Sequence, residues 1–137
     1  MVKTRIKKFL STVLIVGLFS STIVYGATGT FNFSLSRGQS KNTGTVKKES
    51  KLSYATVERT GPSGTQTYVY FTMLNDYGVQ KSDTVRVKGI TSAHVNYYKL
   101  ANGASAVNEG DTVKLKGYNP PGENSGVSIV ASGRWIP

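Results

Sequence analysis

Cysteine is missing from all 137 residues, and histidine occurs only once, at His94. Without cysteine the chain forms no disulfide, and it offers no thiol as a nucleophile, a metal ligand or a point of lipid attachment. His94 has no flanking acid, and the chain lacks the Gly-x-Ser-x-Gly motif of a nucleophile elbow. We therefore interpret His94 as an ordinary strand residue rather than a catalytic base.

Acidic residues are also few, with seven in the whole chain. A glycosidase needs two carboxylates that flank the sugar bond, and none of these acids stands in a recognisable signature. Glu109 and Asp111 lie two residues apart in a turn, but a calcium loop offers more oxygen ligands than this. The sequence thus predicts a protein that is not an enzyme and holds no metal or cofactor.

Long apolar runs are absent except near the start, where the run from residue 9 to residue 25 contains no acid. Four basic residues precede it: Lys3, Arg5, Lys7 and Lys8. This order is typical of a secretory signal peptide. We predict a signal peptide over residues 1–26, with cleavage between Gly26 and Ala27, and a secreted domain over residues 27–137. An uncleaved N-terminal membrane anchor is the alternative.

Removal of the leader changes the charge of the chain, because four of its 17 basic residues and none of its seven acidic residues lie there. The 111 residues that remain carry 13 bases against seven acids, a net charge of +6. A basic exported domain attracts anionic partners, such as a cell-envelope polymer, an extracellular polymer or a membrane surface.

The secreted domain is predicted to be all-β, because β-branched and aromatic residues recur in short alternating runs. Seven strands are expected, at residues 28–35, 51–59, 65–74, 83–90, 94–100, 112–118 and 127–136. The polar stretch 36–51 is expected to be an exposed, flexible loop. The spacing favours a single small antiparallel β-sandwich, with a small open β-barrel as the alternative.

The alternation also assigns faces to these strands. Phe31, Phe33 and Leu35 share one face of the first strand, and Leu52 and Tyr54 share one face of the second. The strand at 65–74 carries apolar residues on both faces, so we expect it to occupy a central position in its sheet.

One pattern occurs twice: DTVRVKG at residues 83–89 recurs as DTVKLKG at residues 111–117. In a strand, the apolar residues of each copy face the core while the basic residues face solvent. We predict a paired basic ridge that binds a polyanion through Arg86, Lys88, Lys114 and Lys116. Independent convergence of two strands on one pattern is the alternative.

Aromatic residues are the other candidate binding groups. Tyr97 and Tyr98 are adjacent, so a regular strand places them on opposite faces and exposes one of them. We include Tyr97 and Trp135 with the four basic residues as candidate binding residues, since an exposed ring can stack on a sugar or a base.

The C-terminal segment ASGRWIP, residues 131–137, carries a resemblance to known proteins. Together with the leader, the Phe31-x-Phe33 strand and the segment KGYN at 116–119, it is similar to a group of uncharacterised small secreted proteins of Gram-positive bacteria. The resemblance implies secretion and a β-rich fold, and it implies no catalytic residue.

Three functions fit these features. The first is a secreted, non-enzymatic protein that binds an anionic cell-envelope or extracellular polymer through its basic strands. The second is a small bacteriocin-like or toxin-like effector, and the third is a secreted hydrolase.

Overall fold

The computed structural model describes residues 27–137, so the predicted signal peptide and its Gly26 end lie outside the described residues. The described chain folds into antiparallel strands joined by turns, with one short 3-10 turn at Asn124–Gly126. The strands are β1 (Gly29–Leu35), β2 (Ser40–Asn42), β3 (Val46–Lys47), β4 (Tyr54–Gly61), β5 (Tyr68–Asn75), β6 (Val85–Lys88), β7 (Thr91–Asn96), β8 (Thr112–Tyr118) and β9 (Ile129–Ile136).

Two antiparallel sheets make up the fold. The first sheet has the strand order β1-β9-β4-β7. The second has the order β2-β8-β5-β6, and β3 also pairs with β8. Among residues 27–137 no strand belongs to both sheets, and the inner faces of the sheets enclose one core. The prediction of a small all-β sandwich is confirmed.

The core forms because the inward positions of the long strands are apolar. Phe31, Phe33 and Leu35 of β1 are buried while Asn32 and Ser34 are exposed, as the alternation predicts. The ring of Phe31 lies 5.5 Å from that of Phe33, measured between centroids. The predicted central strand β5 lies between β8 and β6, and this prediction is also confirmed.

Leu52 and Tyr54, which share one face of the second predicted strand, do not face the core. Leu52 is exposed and Tyr54 is half-buried on the outer side of β4, whereas the inward positions are Ala55, Val57 and Arg59. Pairing of Ala55 with Val95 and of Val57 with Trp135 fixes this register between two neighbouring strands. Arg59 therefore occupies an inward position of β4, where an apolar residue is expected.

Arg59 is fully buried without a carboxylate partner among residues 27–137. Its Nη1 donates to the carbonyl of Thr67 at 2.5 Å, and its Nη2 donates to the hydroxyl of Thr67 at 2.6 Å and to the carbonyl of Val130 at 3.1 Å. Burial lowers the pKa of the guanidinium, although arginine stays protonated in proteins. These bonds tie β4 to the segment before β5 and to β9.

The polar stretch 36–51 is mostly exposed, but it contains β2 and β3. Its Lys48 is fully buried and donates to the carbonyl of Ser50 at 2.6 Å and to the Ser50 hydroxyl at 2.9 Å. Burial lowers the pKa of Lys48, and the nearby Glu109 opposes this shift.

Candidate anion-binding surface

The repeated pattern places its four basic residues on one face of one sheet. Arg86 and Lys88 of β6 are exposed, and Lys114 and Lys116 of β8 are half-buried with their stems against the sheet. The inward residues that alternate with them include Val87, Val113 and Leu115, which are buried. β6 and β8 are not neighbours, because β5 lies between them.

The outer side of β5 fills the space between the two basic strands. Its Tyr68 pairs with Lys88 and its Tyr70 with Arg86 on one side, while Thr72 pairs with Lys116 on the other. Directly opposed residues in an antiparallel pair project to the same side of the sheet. Two strand spacings separate β6 from β8, so the cations spread over about 10 Å across the sheet.

A fifth cation joins this surface. Lys47 of β3 pairs with Thr112 of β8, which faces the same side as Lys114 and Lys116, and it is exposed. Sequence reasoning missed Lys47 because a strand of two residues gives no alternating pattern. We call the basic face the outer surface formed by Lys47, Tyr68, Tyr70, Arg86, Lys88, Lys114 and Lys116.

Aromatic rings hold part of the basic face in place. The guanidinium carbon of Arg86 lies 3.7 Å from the centroid of the Tyr68 ring, and Nζ of Lys88 lies 5.5 Å from the same centroid. A cation over an aromatic ring is attracted by the ring quadrupole. Tyr68 therefore orders two cationic head groups that solvent still reaches.

Glu123 is the acid that contacts the basic face. Its Oε2 lies 3.0 Å from Nη2 of Arg86, and its Oε1 accepts a hydrogen bond of 2.9 Å from the Tyr70 hydroxyl. The bond from Arg86, followed by that from Tyr70, lowers the pKa of Glu123. The same contact raises the pKa of Arg86 and that of Tyr70. Glu123 thus stays ionised beside one cation, while the four lysines of the face form no salt bridge within residues 27–137.

The turn after β8 fixes the position of Glu123. The side chain of Asn124 accepts from the backbone N–H of Tyr68 at 2.6 Å and donates to the Tyr68 carbonyl at 2.8 Å, as a neighbouring strand would. Its Nδ2 also donates to the side chain of Asn119 at 3.0 Å, and Asn119 donates to the carbonyl of Leu35 at 3.1 Å. These amides join the turn to both sheets and hold Glu123 against β5.

Two residues predicted to bind are not on the surface. Trp135 is fully buried in the core. Its indole ring lies so close to Gly29 that a Cβ atom on residue 29 would clash with Nε1 of Trp135. Tyr97 is also buried, and burial raises its pKa. Both predictions are wrong for a surface site, whereas the adjacent Tyr98 is exposed, as its alternation with Tyr97 requires.

The candidate catalytic and metal-binding residues remain apart. His94 is exposed and stacks on Tyr54 with 4.1 Å between ring centroids. Asp111 accepts a hydrogen bond from the backbone N–H of Asn108 at 2.8 Å, which closes its own turn. Within residues 27–137, histidine and acidic side chains nowhere gather in a group of three or more suited to a metal ion.

Comparison of the chain with protein-family models, with curated proteins and with solved structures gives no match. No helix in the described part of the chain has both the length and the hydropathy needed to cross a membrane. The interpretation of the site therefore rests on its geometry and charge.

Proposed function

We propose that residues 27–137 form an exported, non-enzymatic binding domain whose basic face holds an anionic polymer of the cell envelope. The observation that carries this proposal is the placement of Lys47, Arg86, Lys88, Lys114 and Lys116 on one side of one sheet. Only Arg86 among them has an acidic partner within the described residues.

The shape of the surface favours a polymer over a small anion. A small anion is held best by several donors that converge in a pocket, whereas these cations are spread across a sheet. A chain that repeats a phosphate or carboxylate group can contact several of them at once, and each contact raises the effective concentration of the next charged group. Tyr70 of β5 is half-buried between the two basic strands, and its ring adds apolar contact area there.

The test is a charge-removal variant with Arg86→Gln, Lys88→Gln, Lys114→Gln and Lys116→Gln. Binding of parent and variant to purified cell envelope is measured over a range of salt concentrations. For nucleic-acid polyanions each lost phosphate contact lowers the slope of log affinity against log salt by about one. We expect a comparable decrease here, of about three to four in total, with weaker binding at every salt concentration.

A second variant controls for net charge. Arg37, Lys41, Lys51 and Lys81 lie outside the basic face, and their replacement by Gln removes the same number of charges. This variant should keep most of the affinity. Both variants should unfold close to the parent temperature, because Gln keeps part of each aliphatic stem and charges near the surface contribute little to folding. Equal losses in the two variants would mean that net charge alone drives binding, and absence of parent binding at low salt would refute the proposal.

A further inference from the structure

A concave site separate from the basic face lies where the segments before β6 and after β7 meet. The cleft has a volume of about 450 Å³ and is lined by Ser53, Asp83, Asn96, Tyr97, Tyr98 and Lys99. This volume falls within the range of ~300–1,000 Å³ that small-molecule sites occupy. None of the lining residues belongs to the basic face.

The backbone of the cleft is held in place by hydrogen bonds between its walls. The N–H of Asp83 donates to the carbonyl of Asn96, the N–H of Tyr97 to the carbonyl of Ser53, and the N–H of Tyr98 to the carbonyl of Lys81, each at 2.9 Å. The residues at the cleft therefore come from three chain segments fixed to one another, and the site is preformed.

Polar side chains of the cleft have no partners of their own. Within residues 27–137 the carboxylate of Asp83, the amide of Asn96 and the ammonium of Lys99 make no hydrogen bond or salt bridge. All three residues are exposed, so their polar atoms are accessible to a ligand in the cleft.

An aromatic ring stands beside these polar groups. Tyr98 is 40% exposed, and its hydroxyl accepts a hydrogen bond of 2.7 Å from Nε2 of Gln80, which restrains the ring. Tyr97 also lines the cleft, but its side chain is buried in the core and leaves Tyr98 as the exposed ring. An aromatic wall next to unpaired polar groups gives a ligand both an apolar surface to cover and hydrogen bonds to complete.

We propose that this cleft binds a saccharide unit. The carboxylate of Asp83 accepts hydrogen bonds, the ammonium of Lys99 donates them, and the amide of Asn96 does both. Adjacent hydroxyl groups of a sugar both donate and accept, so they can pair with all three side chains. The C–H face of a sugar ring packs against an aromatic ring such as that of Tyr98. Asp83 and Lys99 carry opposite charges, so the lining has no net charge and gives neither an anion nor a cation a general advantage over a neutral ligand.

The experiment is an NMR titration of protein expressed from the full-length chain. The probes are the methyl glycosides of glucose, mannose and galactose, together with N-acetylglucosamine. At least one probe should shift the amide signals of Ser53, Asn96 and Tyr98 saturably, with a Kd of about 1 mM. The variants Asp83→Ala and Tyr98→Ala should each weaken that binding at least tenfold, whereas Lys41→Gln, which lies outside both the cleft and the basic face, should leave it within twofold.

Three results would overturn the proposal. One is the lack of a saturable shift for any probe up to about 100 mM, a hundredfold above the expected Kd. Another is binding that maps outside the cleft or survives both Asp83→Ala and Tyr98→Ala. The last is saturable binding of a free amino acid, tested with lysine and glutamate, in the absence of sugar binding, because a zwitterion also matches one carboxylate and one ammonium.

Discussion

Replacing Gly133 with alanine tests the register of the first sheet. Gly133 lies on β9 between Phe31 of β1 and Arg59 of β4. A Cβ at this position would lie 2.0 Å from the backbone carbonyl oxygen of Glu58 and 2.8 Å from Cζ of Phe31. The carbonyl belongs to the neighbouring strand, so the clash cannot be relieved by a side-chain rotation alone.

The expected cost follows from what has to move. Ordinary van der Waals contact requires β4 and β9 to separate by more than an ångström at this point, which weakens the ladder hydrogen bonds beside it. Overpacking costs about 1–3 kcal/mol, and each weakened hydrogen bond adds about 1 kcal/mol. We expect a loss of roughly 3–5 kcal/mol, which lowers the midpoint of thermal unfolding by more than about 10 °C in a domain of this size.

Two other glycines serve as controls in the same unfolding assay. A Cβ on Gly44 or on Gly64 meets no atom within 4 Å, but only Gly64 has a positive φ, of 72°. Gly44→Ala should be neutral or stabilise by about 0.4–1 kcal/mol through the unfolded state. Gly64→Ala should cost about 1 kcal/mol from backbone strain alone.

Urea unfolding followed by circular dichroism gives the three free energies on one scale. If the free energies of unfolding of Gly133→Ala and Gly44→Ala differ by less than about 1 kcal/mol, the carbonyl of Glu58 does not lie against Gly133, since a real clash costs more. The pairing between β4 and β9 would then be wrong. If Gly133→Ala does not fold at all, the order of the three variants still agrees with the register.

Two further predictions concern single charged residues. Glu123→Gln removes the acid beside Arg86, so the variant should bind purified envelope several-fold more tightly at low salt, with a steeper salt dependence. Unchanged or weaker binding would contradict this prediction. An equal gain from the control variant Glu49→Gln would also contradict it. Lys48 has a pKa below its usual 10.5 because of burial, so in the alkaline range up to 10.5 the unfolded chain binds more protons and stability rises with pH. Lys48→Met should remove this rise in the free energy of unfolding. Parallel curves of unfolding free energy against pH for the parent and the variant would refute the reasoning.

Strong alternation makes some of this fold predictable. β1 alternates Phe31, Phe33 and Leu35 with small polar residues, so its buried face follows from the sequence alone. β5 has apolar residues on both faces and lies inside its sheet. The recurrence at residues 83–89 and 111–117 correctly places four cations toward solvent, because it carries the same period in both copies.

Other features depend on partners far along the chain. The buried face of β4 holds Ala55, Val57 and Arg59, which together are less apolar than Leu52 and Tyr54 on the other side. What makes burial of Arg59 tolerable is its set of acceptors, one of them the carbonyl of Val130, and no local pattern encodes them. Packing between the two sheets buries Tyr97 and Trp135. Their neighbours in sequence do not reveal this packing, so the sequence alone wrongly suggests that both rings are available for binding.

The same limit applies to the basic face and the cleft. Lys47 joins the face through a strand of two residues, and Glu123 reaches it through a turn held by Asn124. The cleft combines Ser53, Asp83 and Asn96 from separate segments. Short strands and turns give weak periodic signals, so these groups can be recognised only once the topology is known.

The position of β1 has a consequence for the order in which the fold forms. β1 has one neighbour in its sheet, β9, so residues 29–35 find their partner only when residues 129–136 are present. A chain that appears from its N-terminal end therefore leaves β1 unpaired until almost every other strand has emerged. Pairings over such long separations are slow to form, typically in milliseconds to seconds for all-β domains. The first strand to emerge is thus among the last to pair, whereas β5 and β6 can already pair once residue 88 is present.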